Sequence, residues 1–338
     1  MSYHEESERK GKARRIVFLA IVLALFTLAV GAFLWATATP GESYDGPPAE
    51  PGDPQLAARL ESHVRTLAET PRNLERIASV TRTLGYLRGE LEALGYAVQR
   101  QEVLAPADNL VVRIGAARAD APILVIGAHY DSAGSAPGAD DNASGVAALL
   151  ELARALKPLD GRAALELQLV FYANEEPPHF KTNAMGSLVH ARSLDEPERV
   201  AGMIALESLG YFSDARGSQH YPFPLSLRYP DTGDFVAFAG DLSSRTFLRE
   251  KIDGFRAHAR IPSIGGTAPG FVQGIDWSDH WSYSQQGIPA FMITDTAPFR
   301  NPNYHRATDT PDTLDYRRLA LVVEGLERML AAQAGGET

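Results

Sequence analysis

Apolar positions follow three different patterns along the chain. Residues 16–35 are apolar on every helical face, with no charge and no proline. From 55 to about 95 the apolar residues recur at helical spacing, at Leu56, Leu60, Val64 and Leu67, then at Leu84, Leu87, Leu91 and Leu94. Beyond 108, short apolar runs alternate with helical patterns. The runs at 109–114, 123–128, 165–172, 203–206 and 288–294 predict strands. Residues 144–156 and 314–332 predict helices, and 208–275 predicts mostly loops with a helix near 243–258. Such alternation predicts an α/β domain with a mixed, largely parallel central sheet and helices on both faces.

The run 16–35 is 20 residues long. A bilayer core of about 30 Å needs about 20 helical residues, so the length fits one span. Arg9, Lys10, Lys12, Arg14 and Arg15 precede it, and no Lys or Arg follows until Arg59. That asymmetry predicts a cytoplasmic N-terminus and a periplasmic or extracellular remainder. Ala36-Thr37-Ala38 resembles a signal-peptidase site. A cleaved signal, however, has an apolar stretch of only about 7–15 residues, so an uncleaved anchor is expected. Residues 37–54, rich in Pro, Gly and acids, read as an extended linker. The expected organisation is a cytoplasmic tail (1–15), an anchor in membrane lipid (16–36), a linker (37–54) and one catalytic domain (55–338).

Unusual polar residues stand just after the predicted strands. His129 and Asp131 follow 123–128; Asn174, Glu175 and Glu176 follow 165–172; Glu207 follows 203–206. Open α/β sheets bind ligands outside the carboxyl ends of their strands. Asp140 and Asp141 come just before the helix at 144–156, and His305 lies near the C-terminus. Each alone has an ordinary explanation: a packed His, a turn Asp, a helix N-cap, a surface acid. Four acids and a His at three strand ends form a constellation. Imidazole and carboxylate without thiolate suit a hydrolytic zinc site. The chain has no cysteine, which excludes thiolate sites, disulfides and a Cys nucleophile.

These stretches are similar to those of the zinc-dependent exopeptidase family that includes bacterial leucyl aminopeptidases, aminopeptidase Y and plasma glutamate carboxypeptidase, with glutaminyl cyclase more distant. The matching stretches are GAHYDS (127–132), GADDNASG (138–145), NEE (174–176), IALES (204–208), SDHWSYSQQGIPA (278–290) and YHRATDT (304–310). The resemblance covers roughly residues 75–335 and implies two zinc ions. It implies that His129, Asp141, Glu176, Glu207 and His305 are the metal ligands, with Asp141 as the bridge. It implies that Glu175 is the general base and Asp131 the carboxylate that orients His129. Glu207 stands where many relatives have Asp.

The resemblance implies an aminopeptidase acting on peptides. Carboxypeptidase or dipeptidase activity on the same scaffold is the alternative, and glutaminyl cyclase or a non-catalytic membrane interaction domain stands further off. The formal net charge is −10, with no basic tract beyond residue 15, which argues against a nucleic-acid partner. His280 reads as a hydrogen-bond donor near the site or as a packed structural residue. Side-chain preference and oligomeric state are not encoded in these motifs.

Overall fold

The computed structural model describes residues 2–335. They divide into two units, with the boundary between Ala38 and Thr39. The first is one helix, α1 (Ser2–Thr37). Its stretch Ser7–Thr37 has a mean hydropathy of 2.8 and is the one described helix long and apolar enough to cross a membrane.

The second unit is built on eight strands: β1 (Gln99–Leu104), β2 (Ala107–Ile114), β3 (Ile123–His129), β4 (Glu166–Tyr172), β5 (Val200–Glu207), β6 (Val236–Asp241), β7 (Ser263–Ala268) and β8 (Ala290–Thr294). They form a single mixed sheet in the order β1-β2-β4-β3-β5-β8-β6-β7. The centre is parallel, with β4, β3, β5 and β8 side by side. The antiparallel pairs are β1 with β2, β2 with β4, and β6 with β8.

Period-two alternation divides the core between the two faces of the sheet. Leu124, Ile126 and Ala128 join one apolar cluster, while Ile123 and Val125 join the other. The first face is covered by α2 (Leu56–Leu67), α3 (Ile77–Ala93), α4 (Gly145–Leu156), α6 (Arg245–Arg256) and α9 (Tyr316–Gln333). The second is covered by α5 (Gly186–Arg192) and α7 (His280–Ser284); α8 (Ala297–Arg300) follows β8. All seven residues of β3 are buried, as expected of a strand covered on both faces.

The expected α/β architecture is what the chain adopts, with differences in detail. The 55–95 pattern is two helices, broken at 68–76 around Pro71. The 208–275 segment holds β6 and β7 as well as α6. Those strands are six residues each, and the Gly, Ser and Thr of β7 hide its period. β1 also escapes sequence detection. It is an exposed edge strand of sequence QRQEVL, with little apolar content.

The 37–54 segment has no regular structure from Ala38 to Pro51, but it does not hang free. The Arg256 guanidinium donates to Thr39 Oγ1 at 3.0 Å, to the Pro40 carbonyl at 2.7 Å and to the Gly41 carbonyl at 3.1 Å. Ser43 Oγ accepts from the Ser263 amide at 2.8 Å. Arg317 donates to the Ala49 carbonyl, and Glu324 accepts from the Gly52 and Asp53 amides. The segment is a strap bonded to α6, β7 and α9.

Candidate metal centre

The sheet brings the polar residues together at the carboxyl ends of β3, β4 and β5. β3 ends in His129 and β5 in Glu207, and Glu175 and Glu176 lie just past the end of β4. Asp141 enters from the loop before α4 and His305 from the loop after α8. Gly138 shapes the Asp141 loop. Its φ is 67°, and a side chain there would collide with the Asp141 carbonyl. Asn174, Ser208 and His305 also adopt left-handed backbone, with φ of 57°, 47° and 58°. Three non-glycine residues in that region, at or beside site residues, mark local strain concentrated here.

The side chains form two groups. His129 Nε2 lies 3.3 Å from Asp141 Oδ1 and 3.2 Å from Glu207 Oε2. His305 Nε2 lies 3.0 Å from Asp141 Oδ2 and 3.3 Å from Glu176 Oε2. Asp141 thus offers one oxygen to each group. Within each group the candidate ligand atoms all lie within 4.8 Å of one another.

These groups suit divalent cations better than they suit each other. His129 is fully buried, yet neither ring nitrogen has a well-formed hydrogen bond; Glu176 Oε1 is likewise unpartnered. Buried polar atoms without partners are costly. Zinc bonds to N and O of about 2.0–2.2 Å, arranged tetrahedrally, put ligand atoms about 3.3 Å apart, close to the spacing seen.

Without a cation, the charges strain one another. Burial pushes the Glu175 carboxyl well above its ordinary pKa, and the acids Glu176, Glu207 and Asp279 add to this against the pull of His129. Burial and the Asp141 charge push Glu176 up to about 8. Burial alone would raise the Asp141 pKa, but His129 and His305 outweigh it and hold it low. Burial opposes a charged His305, yet its bonds to Asp141 and Glu176 raise its pKa to about 10.

Asp131 holds two parts of the site at once. Oδ1 lies 3.4 Å from His129 Nδ1, on the side of the ring away from Asp141. Its two oxygens also accept the backbone N–H groups of Glu175 and Glu176, each at 3.0 Å. Glu175 Oε2 stands 3.9 Å from His129 Nε2, beside both groups but outside them.

The five candidate ligands, Glu175 and Asp131 therefore meet at one place, whereas Asp140 is bonded elsewhere, its Oδ1 accepting from the Gly210 amide and its Oδ2 from Asn301 Nδ2. His280 does not join them: it is buried and its Nε2 lies 2.7 Å from the Ile275 carbonyl. Sequence reasoning missed Ser278, which donates to Glu207, and Asp279, buried near Glu175 with its pKa raised by burial to about 7. Both sit in the SDHWSYSQQGIPA stretch, so a signal was present. Asn142 was also missed. Its Oδ1 accepts from Gly145 and Ser208, and its Nδ2 donates to the Leu206 carbonyl, which ties the Asp141 loop to β5. Arg72, fully buried and donating to the carbonyls of Leu67, Tyr130, Pro137 and Gly138, had no sequence signal.

Comparison with known proteins shows the chain's family. Residues 109–329 match the model of Peptidase family M28. The chain is 41% identical over 333 residues to an Escherichia coli protein, YfbL, covering 94% of this chain and 98% of that one. It is 29% identical over 208 residues to leucine aminopeptidase 1 of Arthroderma otae, covering 58% of this chain and 50% of the fungal one. The chain thus spans about half the length of that aminopeptidase. The solved structure of LapB from Legionella pneumophila shares the fold, with a TM-score of 0.63 at 18% identity, over 88% of this chain and 78% of that one. A family match across most of the domain, together with full-length similarity to YfbL, shows that the chain belongs to Peptidase family M28.

Proposed function

We propose that this chain is a membrane-anchored dinuclear zinc exopeptidase that removes N-terminal residues from peptides. The observation that carries the reading is the pair of ligand groups sharing Asp141: His129, Asp141 and Glu207 on one side, Asp141, Glu176 and His305 on the other. One carboxylate placed between two groups is the arrangement that two adjacent divalent cations require. The likeness to leucine aminopeptidase 1 supports amino-directed cleavage.

Two bound zinc ions would supply an acidified water and a polarised scissile carbonyl. The chain's own residues do the rest. Asp131 faces His129 Nδ1 at 3.4 Å, leaving Nε2 toward Asp141 and Glu207, and would orient the ring once a cation is bound. Through its backbone contacts the same carboxylate fixes the turn carrying Glu175 and Glu176. Those neighbours divide two tasks: Glu176 binds, and Glu175 takes a proton from the attacking water and passes it to the leaving amine. Burial, aided by Glu176, Glu207 and Asp279, raises the proton affinity of Glu175, which suits a group that must accept that proton.

The ordering of the segments follows the same reading. The apolar stretch of α1 is the anchor, and the basic residues before it keep the N-terminus cytoplasmic. The catalytic domain then works outside the cytoplasm. Metal analysis of the purified protein tests the central claim, with two zinc per chain expected. A protein without zinc would remove it. Aminoacyl, dipeptide and N-blocked substrates then separate amino-directed from carboxy-directed cleavage. Turnover of N-blocked peptides from their C-terminus would replace aminopeptidase by carboxypeptidase.

A further inference from the structure

The cradle that Asp131 makes for Glu175 and Glu176 has a counterpart on the other side of the centre. Asp309 Oδ1 accepts the backbone N–H of Asp140 at 2.9 Å, and Oδ2 accepts that of Asp141 at 3.2 Å. The Asp309 carbonyl also accepts the Ala139 amide at 3.3 Å. Asp309 is fully buried. In both cases one buried carboxylate spends its two oxygens on two consecutive amides, and one of those amides belongs to a candidate ligand.

Asp309 belongs to the same short loop as His305, and its own amide is bonded to the Arg306 carbonyl at 3.0 Å. The loop that delivers His305 is therefore pinned to the loop that delivers Asp141. His305 is partly exposed and has left-handed backbone, and its ring stacks on that of Tyr304 in the same loop, with centroids 3.9 Å apart. By contrast His129 and Glu207 sit on the ends of paired strands and are buried. The second group, Asp141, Glu176 and His305, is assembled from three loops.

We propose that Asp309 is a positioning residue for the second metal position: it sets the distance between Asp141 and His305. This rests on the ligand reading given under Proposed function. Two hydrogen bonds from consecutive amides fix both the height and the tilt of that turn. Replacing one oxygen by an amide nitrogen puts a donor against a donor. The turn must then shift, and with it the Asp141 oxygen that faces His305 and Glu176. The first group loses less, because His129 and Glu207 are held by strands that Asp309 does not touch.

The test is zinc retention by the detergent-solubilised full chain, at graded concentrations of a competing chelator, for the wild type and Asp309→Asn. The expected result is a 10- to 100-fold weaker hold on one zinc ion, the range typical of lost partners behind metal ligands. The other ion stays near its wild-type affinity. Asp309→Glu keeps both acceptors and lies closer to wild type. Zinc-stripped Asp309→Asn still folds and unfolds cooperatively, a few degrees below stripped wild type because one buried hydrogen bond is lost. Wild-type affinity for both ions in Asp309→Asn overturns the proposal, as does equal weakening of both. A stripped variant that fails to fold makes Asp309 a purely structural group and also overturns it. If the wild type itself holds no zinc, the ligand reading has failed instead.

Discussion

Ser278 donates a 2.7 Å hydrogen bond to Glu207 Oε2, the oxygen that faces His129 at 3.2 Å. The other oxygen, Oε1, accepts from Ser208 Oγ at 2.9 Å. Two hydroxyls thus hold the long arm of Glu207. Ser278→Ala should free one oxygen and weaken zinc at the first position about 10-fold or more. Chelator competition on purified protein reads this directly. Glu207→Asp should weaken it further, because the shorter side chain cannot reach both Ser278 and the metal position. An unchanged zinc affinity in both variants would remove Glu207 from the ligand set.

Glu175 lies beside both ligand groups and belongs to neither. Glu175→Gln keeps the shape and removes the proton acceptor. Zinc content should stay at the wild-type level, while kcat falls about 10²- to 10⁴-fold. Parallel metal analysis and peptide hydrolysis assays check the two halves. Loss of zinc together with activity would place Glu175 among the ligands.

Much of this site was legible because its residues stand at strand ends, where apolar runs stop abruptly. His129 ends β3 and Glu207 ends β5, so period and position pointed to them before any contact was known. The supporting residues were harder to read. Arg72 acts through backbone carbonyls, which have no sequence identity, and Asp309 through backbone amides. Neither leaves a trace in spacing. The order of the strands was also hidden. β6 and β7 are short, and β6 pairs with β8 antiparallel across a long connection, so local pattern carries no record of it. The strap was read as a linker because Pro, Gly and acids are common in both. The partners that distinguish the two, Arg256, Ser263, Arg317 and Glu324, lie more than 200 residues away in sequence.

A pH effect follows from His190, which belongs to neither ligand group and packs against Tyr172 of β4. Its Nδ1 lies 2.6 Å from the Tyr283 hydroxyl, which in turn lies 2.7 Å from that of Tyr172. Burial, helped by the charge of Arg113, lowers its pKa from 6.5 to about 4. Below pH 6.5 the unfolded chain takes up a proton that the folded chain refuses. Stability should therefore fall as the pH drops from about 6.5 to about 4, and this contribution levels off below that. The loss amounts to roughly 2–3 kcal/mol by pH 4.5. Urea unfolding of wild type and His190→Asn at pH 7 and pH 4.5 measures it. The variant cannot take up this proton, so its stability should change less between the two values. Equal changes would show that His190 does not titrate in this window.

Removing residues 1–38 should leave a folded, soluble domain, since the second unit begins at Thr39 and its strap is bonded to the body from that residue onward. Removing 1–54 should not be equivalent. It strips partners from Arg256 and from the buried carboxylate of Glu324. Each lost hydrogen bond is worth about 0.5–1.5 kcal/mol net, so several together should lower the melting temperature by roughly 5–10 °C. Equal melting temperatures for the two truncations would show that the strap contributes nothing.

The strap has a further consequence for the life of the protein among other proteases. Exposed connectors rich in Pro and Gly are ordinarily the first places to be nicked. Here the bonds to the body fall at 39–43 and again at 49–53, with only a short exposed stretch between them. A cut needs several residues of chain drawn out into a protease cleft, so it must wait for one end of the strap to peel. The half-life of the intact chain then tracks the free energy of that local opening rather than the composition of the connector. Weakening the grip of Arg256 would be expected to hasten shedding of the catalytic domain without altering a residue of the metal centre.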